Sequence, residues 1–354
     1  MRALCRLKLL PGLLLLLLAL ALSLTASAAS ALKPDSLYVS VVPCEDGGAR
    51  PRETVKIYSR KEVYYLFLPG GADLTGLRLW YDESAGTVMA EGGPCSSGSL
   101  LPDLTGKDTL SLDIGKKHYE VKVQRGSGIS AMFITTESGS MTWVEKDKEN
   151  KEPGAMTLLQ ADGSVSYDGG LDYIKMRGNT AITLSKKNYG IKLSEKAGLE
   201  GMGKAKKWCL ISSARDLSLI RNRIVYSMAA YVGLPYTPKT AQVDVYLNGS
   251  YNGLYLLCEK IEVGTNRVNI RDLEKANEEA NGGSLEGVTV TGPVKAKRST
   301  FKAWQLPNEP EDITGGYIIE YENYTQRYQQ EESAYTTAQK KVLVVKSPKK
   351  ASVA

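Results

Sequence analysis

Arg177-Gly-Asn-Thr180 is followed closely by Lys186, Lys187 and Lys192. A strand end, a turn with a flexible glycine, and cations returning on the next strand can surround a phosphate chain. The glycine lets backbone N–H groups approach, and Arg and Lys neutralise charge. The same residues also make a basic β-hairpin with a solvated face, and alone they favour that simpler reading. A second apparent phosphate motif fails. Gly198-Leu-Glu-Gly-Met-Gly-Lys-Ala205 nearly fits G-x-x-x-x-G-K-[ST], but Ala205 brings no hydroxyl for Mg2+. The residues before it, Ser194–Ala197, are mostly polar, whereas a P-loop follows a buried strand. A surface turn is expected there.

Other chemistries are excluded by scarcity. His118 is the single histidine, in a predicted strand far from any candidate nucleophile. That removes Ser-His-Asp and Cys-His triads and any zinc site needing two histidines. No Cys-x-x-Cys occurs. Cys44 and Cys95 lie in polar, Gly-rich loops, where a disulfide is expected after export. Cys209 and Cys258 sit in apolar runs and are expected as buried thiols.

Export is expected from residues 1–31. Arg2, Arg6 and Lys8 precede a Leu/Ala run from Leu9 to Leu24, and small-residue cleavage sites follow. The run is about 16 residues, short of the ~20 of a spanning helix, so no membrane span is expected after cleavage. The net formal charge of +6 falls to +3 when those three basic residues leave. Such mild charge argues against nucleic acid as a partner. A secreted or cell-surface protein is expected.

The elements that must position the cations follow from periodicity. Residues 32–125 read as short strands broken by turns, an immunoglobulin-like β-sandwich that serves as an accessory domain. Ile129–Thr136 opens a second domain, 126–354. Tyr189, Ile191 and Leu193 alternate, which puts Lys192 on the opposite face. Leu217, Ile220, Ile224, Met228 and Val232 predict a helix over 216–232 with one apolar stripe. Asp216 caps its start, and Gly233 and Pro235 stop it. Asn248-Gly249 marks a hairpin. Residues 274–312 read as a long polar, Gly-rich link, and Ile313–Glu322 and Lys341–Lys346 as two further strands.

In a protein kinase an ATP-anchoring lysine lies on a strand before a single helix, and a hairpin then leads to a hinge beside the adenine. Lys192, the 216–232 helix, the Asn248-Gly249 hairpin and Glu259-Lys-Ile261 fall in that order. The order predicts an α+β, kinase-like nucleotide lobe.

At this point the chain resembles the CotH (spore-coat protein H) kinase family. The words that carry the resemblance include Arg177-Gly-Asn-Thr, Lys186-Lys-Asn-Tyr-Gly-Ile-Lys-Leu, Lys206-Lys-Trp-Cys-Leu, Gly233-Leu-Pro-Tyr-Thr-Pro and Asn266-Arg-Val-Asn-Ile. They run in order, and the resemblance covers about residues 130–350. It implies an atypical secreted or surface kinase that uses ATP with Mg2+ or Mn2+ to phosphorylate a Ser/Thr-rich protein partner. Lys192 would then be the phosphate lysine with Lys187 a second candidate, Arg177 and Asn179 would lie near the phosphates, and Glu259 would be a hinge position.

Two departures accompany it. The 216–232 helix has no Glu, so only Asp216 at its cap could pair with the lysine. The family's metal-binding aspartates lie in a later helical lobe, and here no Asp follows Asp312. No catalytic residue or metal ligand is therefore assigned. The expectation is a domain whose C-terminal lobe is missing, a gene fragment with little or no kinase activity. The alternative is a non-catalytic cell-surface binding or adhesion module.

Overall fold

The computed structural model describes residues 32–45, 48–126, 128–288, 290–296, 299–321, 333–336 and 342–350. The expected leader, residues 1–31, lies outside them. Among the described residues no helix is long and apolar enough to cross a membrane.

The expected α+β class needs correcting, because the fold is mainly β. Two α-helices occur among the described residues, α1 (Arg221–Tyr231) and α2 (Leu273–Ala280). Alternating apolar runs and Gly-rich turns dominate the sequence, and both favour short paired strands.

Compact packing divides the chain into two units. One holds the residues up to Thr135 with Met156–Ser166 and Asp244–Gly253; the other holds Thr136–Ala155, Tyr167–Val243 and the residues from Leu254. In the first unit β1 (Tyr38–Ser40) lies between β2 (Thr54–Lys56) and β5 (Arg78–Trp80). A six-stranded sheet contains β3 (Tyr58–Arg60), β4 (Val63–Leu68), β6 (Val88–Ala90), β7 (Gly93–Cys95), β8 (Thr109–Ile114) and β9 (Lys117–Arg125). Its order is β3-β4-β9-β8-β6-β7, with β4 and β9 parallel. Val39, Val55 and Leu79 of the first sheet share a core with Leu66, Leu110, Leu112 and Val121 of the second. Cys44 and Cys95 are free thiols in the structure. Burial raises the Cys95 thiol pKa.

Seven strands follow: β10 (Ser130–Thr136), β11 (Glu152–Leu159), β12 (Val165–Met176), β13 (Tyr189–Ala197), β14 (Ala205–Ile211), β15 (Thr240–Leu247) and β16 (Ser250–Glu259). They hydrogen-bond in the order β10-β11-β12-β13-β14-β16-β15 and close a barrel. Asn248 and Gly249 join β15 to β16 with φ of +51° and +82°, the paired positive values of a type I′ turn. The expected polar link is more structured than its composition suggests. It contains most of α2 and the hairpin of β17 (Val290–Ala296) and β18 (Ser299–Trp304). A last sheet orders β19 (Ile318–Tyr321), β21 (Val342–Ser347) and β20 (Ser333–Thr336).

Helix α1 begins later than its periodicity predicts. Asp216 accepts hydrogen bonds from the Ser218 N–H, the Ser218 hydroxyl and the Arg221 N–H, closing a turn ahead of the helix. Gly233, at φ +76°, ends it. The apolar stripe does not face a core either. Leu217, Ile220, Ile224, Met228 and Val232 are all exposed, and no α1 residue is buried. Tyr226 and Ala229 are its half-buried residues. Periodicity sets which residues share a face, not what covers it.

Candidate functional site

Cross-strand register builds a cationic face in the second unit. Lys175, Gly190, Cys209 and Cys258 form one row, and Tyr173, Lys192 and Lys207 form the next. Tyr189, Ile191, Leu193, Trp208 and Leu210 occupy the alternate positions and are buried. Lys175, Lys192 and Lys207 therefore stand on the other side of the sheet. Helix α1 meets this side through Tyr226, whose hydroxyl lies near enough to the Cys258 thiol that each shifts the other's pKa. Burial pushes that thiol up to about 11.

Two of the three lysines are claimed by carboxylates. Lys192 Nζ lies 2.7 Å from Asp172, and Lys207 Nζ lies 3.1 Å from Glu262. The hydrogen bond from Lys192 holds the Asp172 carboxyl below the usual carboxylate range and the lysine above its own. Lys260 is exposed as a residue, yet desolvation around its ammonium lowers its pKa, with Lys207 and Arg177 adding repulsion.

The other candidates are dispersed. Tyr173 is the partner of Lys192, and Arg177 lies four residues further along, which at ~3.3 Å per residue is about 13 Å. The Arg177 guanidinium acts on the Cys209 and Cys258 thiols and on the Lys260 ammonium. Lys187 Nζ donates to the Ile182 carbonyl at 2.8 Å and closes the 177–188 loop on itself. Asn179 precedes the short 3-10 turn Thr180–Thr183 without a side-chain cap bond. Asn188 fixes the loop, accepting from the Ser212 N–H at 2.7 Å and the Ser212 hydroxyl at 2.8 Å.

Glu259 is buried. One carboxylate oxygen lies 2.8 Å from Arg267 Nη1, and the other accepts the Lys239 N–H at 3.0 Å. The Arg267 guanidinium stacks on Trp208, 4.5 Å from a ring centroid. Arg267 and Asn266 also donate to the carbonyls of Gly203 and Lys204. The P-loop-like segment is thus a clamped turn, with Leu199 and Met202 buried beneath it. Beside Glu259 opens a cavity of about 460 Å3, lined by Tyr236, Thr237, Lys260, Ile261 and Arg267 among others. Among the described residues the peptide groups of Lys260 and Ile261 make no backbone hydrogen bond.

The strand immediately ahead of α1 is β14, which carries Lys206 and Lys207; Lys192 lies one strand earlier. Applied to the nearest strand, the strand-then-helix order selects Lys207 as a further candidate.

The class these observations define is a mostly β protein with a cationic sheet face backed by one helix. A family model described as CotH kinase protein matches residues 174–349, from the end of β12 through β21. The chain belongs to the CotH kinase family. No curated protein matches it.

Proposed function

We propose that this chain is an exported CotH-type atypical kinase domain that binds ATP between the cationic face and the Glu259–Ile261 segment. Its targets would be Ser/Thr-rich proteins of the cell surface or coat. Family membership supports the reading, and so does the order β12, β13, β14, α1, β15, β16 followed by Lys260. The carrying observation is Lys207, on the strand before the single helix and tied to Glu262 just past the hairpin.

The residues fit a nucleotide better than a metal ion. A cavity of about 460 Å3 is within the range of small-molecule sites. The Lys260 and Ile261 peptide groups, which line this cavity, would pair with a base, and Lys207, outside its lining, would neutralise phosphate oxygens that extend beyond it. ATP would bring the transferable phosphoryl group. Mg2+ or Mn2+ lacks a ligand set here: among the described residues no three His, Cys, Asp or Glu side chains gather to hold one. Asp172 and Glu262 are each occupied by a lysine.

Those occupied carboxylates favour a second reading, a surface binding module that retains the fold without transfer chemistry. Thermal melting of the full chain with and without a non-hydrolysable ATP analogue separates the two. Stabilisation that Lys207→Ala removes supports the nucleotide reading. A melting curve indifferent to the analogue supports the binding module.

A further inference from the structure

We propose that α1 is a docking rail for an acidic amphipathic helix of a partner protein. The inference goes beyond the nucleotide reading and does not rest on it. Ile220, Ile224, Val225, Met228, Tyr231 and Val232 are exposed, Met228 at 60% and Tyr231 at 92%. At ~100° per residue they cover an arc of about 140° on the side away from Tyr226 and Ala229. A contiguous apolar surface of this kind marks an interaction site. A concave groove of about 410 Å3 runs along it, between Ile220, Ile224 and Met228 on one wall and Gln242 on the other. Such grooves take the apolar face of a helix.

Charge selects the occupant. No Asp or Glu occurs from Leu217 to Val243; Arg223 lines the groove, donating to Gln242 Oε1 at 2.9 Å and keeping its charge, while Arg221 is paired with Asp216 at 3.6 Å. Asp216 is already spent on Ser218 and Arg221. A helix with carboxylates beside its apolar stripe would match both features. A second copy would bring arginine against arginine across a two-fold axis. A flat anionic bilayer would leave the groove unfilled.

The test uses the full chain and two designed four-heptad peptides. Both carry Leu at the a and d positions; one has Glu and the other Lys at e and g. Fluorescence anisotropy should show the acidic peptide binding with a roughly micromolar Kd and the basic one at least about tenfold more weakly. Ile224→Asp should abolish binding. Arg223→Glu, which gives up the hydrogen bond to Gln242 and is compared at a temperature where its melting curve shows it folded, should erase the preference for the acidic peptide. Equal binding of both peptides, or none, overturns the proposal. So does a dimer in light scattering that Ile224→Asp dissociates, or sedimentation with phosphatidylglycerol vesicles in the absence of peptide binding.

Discussion

Lys192 and Lys207 stand directly opposite one another on β13 and β14. Like charges so placed destabilise a sheet, and here each turns to its own carboxylate, Asp172 at 2.7 Å and Glu262 at 3.1 Å. The face is cationic in composition and largely neutralised in geometry. A phosphate chain must therefore compete with carboxylates already in place.

Acid should undo the first of these pairs. The hydrogen bond from Lys192 depresses the Asp172 pKa in the folded state. Its contribution is complete above the unfolded carboxylate value of about 3.9 and is lost as pH falls through the lower folded value. Asp172→Asn removes it at every pH. Melting temperatures of the two proteins should converge at the acid extreme and separate modestly as pH rises. A gap that widens toward low pH would contradict this.

The two lysines should differ toward nucleotide. Lys207 precedes α1 directly, so Lys207→Ala removes a charge-assisted contact of roughly 1.5–3 kcal/mol, about 10- to 100-fold in affinity. Lys192→Ala should cost less than about threefold, because Lys192 lies one strand further from α1 and its ion pair, at 2.7 Å against 3.1 Å for Lys207, is the tighter of the two. Calorimetric titration with the ATP analogue ranks them. The reverse order would restore Lys192 as the phosphate lysine.

That lysine shows how far the sequence could be read. The β15–β16 hairpin was legible from Asn248-Gly249 because few dipeptides accept two positive φ values in succession. Alternation likewise placed Ile191 and Leu193 inside and Lys192 outside. Three features escaped. Arg177 and Lys192 looked adjacent in sequence, but their distance depends on strand register, which alternation does not encode. Glu259 read as a hinge acid, while its ion pair with Arg267 joins distant residues and leaves no local trace. The exposure of the α1 stripe is the third, since periodicity cannot distinguish a covered face from a bare one.

The Glu259–Arg267 pair should be a stability determinant. The Arg267 side chain is 3% exposed and that of Glu259 9%. Removing one partner leaves a buried charge uncompensated, at a cost of about 3–5 kcal/mol. Arg267→Met and Glu259→Gln should each lower the urea midpoint strongly. The double variant should lose much less than the sum, and simple additivity would show that the ions act independently.

The clamped turn offers a last check on the rejected phosphate motif. A Cβ on Gly203 would come 2.7 Å from Asn266 Cβ, so Gly203→Ala must push the Asn266–Arg267 clamp aside. Overpacking of this kind costs about 1–3 kcal/mol. Gly201 has open space around it but a φ of +69°. Gly201→Ala should therefore cost only about 1 kcal/mol, from the left-handed backbone alone. Denaturant titration should rank Gly203→Ala below Gly201→Ala, and neither should alter affinity for the ATP analogue in the protein that remains folded. A turn that cradled phosphate would behave differently: Gly201→Ala would then also weaken the nucleotide, beyond its backbone cost in stability.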